Sequence, residues 1–281
     1  MQRTIVIGEP VTMSVLGAPL DALVERFYMD YFAGRELPWD ELDVAAGTYF
    51  DQHPTDPAAH DDYFNNFISL WRHLMGHDNQ SRAEYIWERA LKPALAWEQA
   101  HAGQFLHKGT PYYFWAMTVI IRRDMDRGYL IMHRALDEDI RTHAQQRPDT
   151  PGFALVSLNH EKPDQAFRQW VVHQAQHVEQ RLHNYNAAHQ RSLTMDQVKQ
   201  RFLINPPTTE VLFLFTYTLA RLINISDEPI HVRANPFAGQ LELNLFFDIT
   251  LVIDAVIKAR TPQDGNSSTT RNTSSPRQAT H

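Results

Sequence analysis

Histidine and arginine are the residues in this chain whose types and spacing could support chemistry. Fifteen histidines are present. His73-x3-His77 and His173-x3-His177 each place two imidazoles on one helical face, as a metal site requires, with Glu179 and His183 as local third ligands for the second pair. Neither matches the His-Glu-x-x-His zinc pattern, because positions 74–76 read Leu-Met-Gly and 174–176 read Gln-Ala-Gln; no metal is expected. The second candidate chemistry is an arginine–histidine pair on one helix. The arginine would hold a phosphate while the imidazole moves a proton. Arg72-x4-His77, Arg127-x5-His133 and Arg168-x4-His173 have that spacing. Arg72, His77, Arg168 and His173 are the candidate catalytic residues.

Other chemistries lack their signatures. No glycine-rich phosphate loop, Gly-x-Ser-x-Gly elbow or calcium loop occurs, and no cofactor is implied. Two acidic clusters stand out. Asp61-Asp62 is expected to cap a helix start, and Asp137-Glu138-Asp139 to form a solvated helix end. Asp248 and Asp254 lie in an apolar stretch, where pairing with Arg221 or Lys258 is expected.

These residues must be positioned by helices. The pattern predicts a short strand at Thr4–Ile7 and a helix from about Pro19 to Phe32, closed by Gly34. Residues 35–59, punctuated by Pro38, Gly47, Pro54 and Pro57, read as irregular. From Asp61 a helix carries Phe64, Phe67, Ile68 and Trp71; after a polar break at 76–81 a second carries Ala83, Ile86, Trp87, Ala90 and Leu91, with a kink expected at Pro93. A second hairpin occupies 109–139 and a weaker third one runs through 153–173. Further helices are expected at about Thr194–Leu203, at Val211–Leu222 capped by Thr208 or Thr209, and at about Phe237–Ala259. The apolar stretches Val211–Ile225 and Leu241–Ile257 are too short to span a membrane and read as core helices, the second with Phe247 and Leu251 on a partly covered polar side. Residues 261–281 contain no large apolar side chain and read as a disordered tail. The expected class is all-α: an irregular, solenoid-like array of helical hairpins (60–190) packed on a C-terminal bundle (191–260), preceded by an acidic N-terminal segment (1–59).

The 109–139 hairpin resembles a tetratricopeptide repeat. Tyr112, Trp115, Ala116 and Val119 stand at first-helix signature positions, and Gly128, Met132 and Ala135 at second-helix ones. Ile140 replaces the usual terminal proline, and the hairpin spacings of 45 and 38 residues depart from a regular array. The resemblance implies stacked helices that bind another protein, or a second copy of the chain, through Tyr112, Tyr113, Trp115 and Trp170. Small residues at 116, 128 and 135 imply a close helix approach. The arginine–histidine pairs resemble the signature of HEPN-type all-α ribonucleases, which is the alternative function.

Composition narrows the setting. Net charge is −7, with 7 Lys+Arg against 16 Asp+Glu in residues 1–100 and 19 against 17 thereafter. The acidic first part argues against nucleic-acid binding there. With no cysteine, a disulfide framework and a thiol nucleophile are excluded. The broken apolar run at the N-terminus does not form a signal peptide, so a cytoplasmic, membrane-free protein is expected.

Overall fold

The chain opens with a tight β-hairpin. In this computed structural model, which describes residues 1–7, 9–122, 124–143, 165–205, 207–227 and 238–260, β1 (Gln2–Ile7) pairs antiparallel with β2 (Glu9–Ser14), Gln2 opposite Ser14. The second strand is absent from the sequence expectation because Pro10 lies within it. In β2, Val11, Met13 and Ser14 are buried and Thr12 is exposed, and the strand packs against α3 and α4.

Helix α1 (Ala18–Phe32) buries Leu20, Val24, Phe27 and Tyr28. Gly34 ends it at φ +66°, its N–H bonding Tyr31 O while Arg35 N–H bonds Asp30 O. Only glycine takes that backbone conformation without strain. Helix α2 (Trp39–Gln52) corrects the irregular reading of 35–59. Its prolines bracket helices and do not break them: Pro38 precedes α2, and Pro57 occupies the first turn of α3 (Pro57–Asn65). Trp39, Leu42, Ala46, Tyr49 and Phe50 make the buried face.

The single helix expected from Asp61 is two helices, α3 and α4 (Ile68–Gly76). At the break, the Tyr28 hydroxyl donates to Asn66 O (2.6 Å) and accepts from Leu70 N–H (3.3 Å), while Asn66 Nδ2 donates to Asp62 O (2.8 Å). Backbone groups that a continuous helix would pair internally are satisfied by side chains of the fold. Helix α5 (Gln80–Ala100) continues through Pro93.

Helices α6 (Gly109–Ile121) and α7 (Met125–His143) are the most extensively packed helix pair. Ala116 and Ala135 are fully buried. A Cβ on Gly128 would lie 2.5 Å from Ile120 Cγ1 and 3.1 Å from Ile120 N, so backbone would have to move. Gly128→Ala is therefore expected to cost about 1–3 kcal/mol by overpacking despite better helix propensity, read from urea unfolding; a stabilised variant would contradict the close approach.

The remaining helices are α8 (Gln165–His189), α9 (Met195–Val198, running into a π-helical turn Lys199–Ile204), α10 (Thr209–Asp227) and α11 (Ala238–Arg260). Thr194 and Gln197 form a reciprocal capping box for α9, and Thr208 Oγ1 accepts from Val211 N–H. α10 packs on α7, and α11 packs on α10. One apolar core runs from Val11 in the β-hairpin to Leu212 in α10. Apart from the small sheet, the described residues make an all-α fold. Residues 153–164 of the third hairpin and the expected tail at 261–281 lie outside the described residues, as do the side chains of Arg168 and Trp170.

Candidate functional site

The loop between α5 and α6 carries Leu106-His107-Lys108 into the interior, each no more than 2 % exposed. A lysine so placed needs full compensation. Lys108 Nζ donates to Leu106 O (2.9 Å), to Glu98 Oε1 and to Glu138 (3.2 Å to Oε1), so three acceptors meet its three donors. Arg141 also pairs with Glu138, and its guanidinium lies 4.1 Å from the centre of the Phe105 ring. Two carboxylates and two cations thus close the network without net charge.

His107 belongs to a second, adjoining network. Thr142 Oγ1 donates to Glu138 O (2.7 Å), so His107 Nδ1–H is the donor in its 2.7 Å bond to that hydroxyl. His107 Nε2 faces Asp61 Oδ1 and Asp139 Oδ1, both at 3.6 Å. The His107 backbone N–H donates to His60 Nδ1 (2.9 Å), which fixes His60 as the tautomer whose Nε2–H donates to His53 O (2.7 Å). Burial holds the His60 pKa below its ordinary value, so the ring is kept neutral. Gly109 starts α6 here; a Cβ would collide with Asp139 Oδ1 and lie 2.7 Å from His107 Cε1. The acids sit at the α6 N-terminus, where the unpaired N–H groups favour anions.

Asp61 accepts from Thr110 Oγ1 (2.8 Å), yet burial pushes its pKa up from 3.8 to about 6. Between those values the unfolded chain has lost a proton that the folded chain retains. Stability therefore falls as pH rises through that window, and the deficit persists above it. Asp61→Asn is expected to be more stable than the parent at pH 7 by about 1–2 kcal/mol, a figure reduced because a third of the side chain reaches solvent. The gain should vanish near pH 4 in thermal unfolding. A variant less stable at pH 7 would show that His107 supports the Asp61 charge.

Burial of the imidazole and the ammonium closes this centre to a substrate, so the arrangement does structural work: it locks the 101–108 loop between α3, α5 and α7. It also corrects two expectations. Asp61 lies inside α3, whose cap is Asp56. Glu138 and Asp139 are buried at 8 % and 4 % exposure, not solvated. The signal was present: Gly128, Met132, Ala135 and Asp139 recur at helical spacing, so Asp139 extends the buried face by one turn.

Of the sequence-derived catalytic candidates, Arg72, His77 and His173 have described side chains, and Arg168 does not. Arg72 is exposed on a groove bordered by Thr12, Ser14, Asn65 and Ser69. His77 sits past the end of α4, its Nδ1 2.8 Å from His73 O and its ring 4.3 Å from that of His73. Five helical residues separate the two by about 140° around the axis. Arg127 pairs with Glu84, whereas His133 packs on Phe213 (4.6 Å) and lies 3.2 Å from Asp137. His173 is half-buried with its ring 4.5 Å from that of His177. Among the described residues no group of three histidine or acidic side chains is arranged to hold a metal ion.

Of the aromatic binding candidates with described side chains, Tyr112, Tyr113 and Trp115, none is openly exposed. Tyr112 and Tyr113 are buried at 6 % and 2 % exposure, and Trp115 is half-buried with Nε1 donating to Glu84 (3.0 Å). These rings fill the hairpin core. Burial works against the Glu84 carboxylate, but Trp115, Arg127 and Arg122 around it hold its pKa below the usual value.

Exposed apolar surface lies instead on α11. Phe246 (65 %), Phe247 (58 %), Leu251 (53 %), Ile253 (54 %) and Ile257 (58 %) are open to solvent. This overturns the expectation of a core helix in which Phe247 and Leu251 are partly covered. The covered side faces α10, where Arg221 Nη1 donates to Asp248 Oδ2 (2.8 Å) and to Tyr217 OH (3.3 Å), and Tyr217 donates to Asp126 on α7 (2.9 Å). Asp254 pairs with Lys258 (2.7 Å). Both acids have the partners expected from sequence. Among the described residues no helix is long and apolar enough to cross a membrane. Comparison with protein-family models, curated proteins and solved structures finds no match for this chain.

Proposed function

We propose that this is a helical scaffold that works by binding protein, with α11 as its contact surface. The carrying observation is the concentration of five large apolar side chains, each more than half exposed, on one helix. Patches of that size on a folded chain mark interaction surfaces. The polar relay Asp126–Tyr217–Arg221–Asp248 supports the reading, because it ties α11 to α7 through α10 and fixes which side of the helix faces outward. Burial of the reactive groups around His107 and Lys108 argues for architecture over catalysis there.

A photoreactive benzoylphenylalanine at Ile253 tests this in cells. It should yield a discrete protein adduct, while the same group at Met29, an exposed residue on α1, should not. Labelling at Ile253 no stronger than at Met29 would remove the proposal.

A further inference from the structure

The exposed side of α11 has a spacing that identifies its occupant. Phe246, Thr250, Ile253 and Ile257 follow one another at intervals of 4, 3 and 4 residues. At about 100° per residue they form one stripe, and that interval is the one by which helices pair through interlocking side chains. Thr250 belongs in such a seam because its hydroxyl already donates to Phe246 O (2.9 Å). Asp248, held by Arg221, lies on the opposite side and keeps the stripe outward.

Resting on the reading of α11 as a contact surface, we infer that its occupant is α11 of a second copy of this chain, lying antiparallel. Two features choose that partner. The stripe is self-complementary when reversed: Phe246 meets Ile257 of the other copy, and the small Thr250 meets Ile253. A parallel pair would stack Thr250 on itself and bring together the two Arg260 residues of the last turns, which lie on the stripe side of the helix. Reversal separates these cations and sets the helix dipoles head to tail. On that side of α11, Phe246, Ile249, Ile253 and Ile257 expose on the order of 450 Å² together, the centre of a contact that neighbouring surface would have to complete toward the roughly 800 Å² per partner of a stable interface.

The absence of cysteine makes the test clean. Phe246→Cys and Ile257→Cys variants of the full chain are mixed and mildly oxidised, and peptides are identified by mass. The antiparallel pair requires the 246–257 cross-link, at least tenfold above either self-link, since identical ends lie about 16 Å apart along the axis. Self-links at both positions would overturn the inference in favour of a parallel pair. Wild-type chain remaining monomeric in sedimentation at 100 µM (roughly a weak-contact concentration) would overturn pairing with a second copy. In that case a persisting adduct at Ile253 leaves the contact-surface reading intact, and its absence removes both.

Discussion

Lys108→Met is expected to destabilise the protein by about 3–5 kcal/mol, enough to remove much of the stability of a domain. The methionine stem occupies similar volume, so the loss is electrostatic. Glu98 and Glu138 would face one another at the bottom of the 101–108 loop with Arg141 as the remaining nearby cation. Leu106 O would lose its ammonium donor as well. Two measurements separate this from a generic packing defect. Urea unfolding gives the size of the loss. Adding Glu98→Gln to Lys108→Met should restore part of it, because one uncompensated buried charge is removed. A loss below about 1 kcal/mol would mean the network is solvated.

The second large effect concerns association and not stability. Phe246→Glu combined with Ile253→Glu is expected to weaken association more than 100-fold. Each substitution removes an apolar side chain from the seam and inserts a charge, costing about 2 kcal/mol or more apiece; 2.7 kcal/mol already corresponds to about 100-fold. The melting temperature of the monomer should remain unchanged, since both side chains are more than half exposed. The polar relay through Arg221 lies on the other side of α11 and is untouched.

How much of this could be read in advance depended on where each signal resides. Local chemistry was legible. Gly34 closing α1, Thr194 and Thr208 opening their helices, and the α6–α7 hairpin with Gly128 at its narrowest point follow from neighbours in sequence. So did the Arg221–Asp248 and Asp254–Lys258 pairs. Features settled by distant partners were not. The break at Asn66 depends on the Tyr28 hydroxyl, 38 residues away. The proline-flanked α2 is held by its buried face on α5.

The internal polar centre was missed for a related reason. Lysine, glutamate and aspartate are mostly surface residues, so His107-Lys108 and Glu138-Asp139 looked unremarkable beside the arginine–histidine spacings. Continuing the apolar period of α7 one turn further exposes the signal. Periodicity also misled at α11. It marks which residues share a side of a helix, but not whether anything covers that side. Tyr112 and Tyr113 show the converse, aromatic residues taken for a binding surface that turn out to be interior.

The central claim is association through α11, and sedimentation equilibrium of the full chain tests it most directly. Wild-type protein should approach twice the 32.6 kDa chain mass at micromolar concentration, while the Phe246→Glu, Ile253→Glu chain should stay at 32.6 kDa with unchanged helical content. A wild-type chain that sediments at 32.6 kDa throughout, together with no adduct from the photoreactive probe at Ile253, would contradict it.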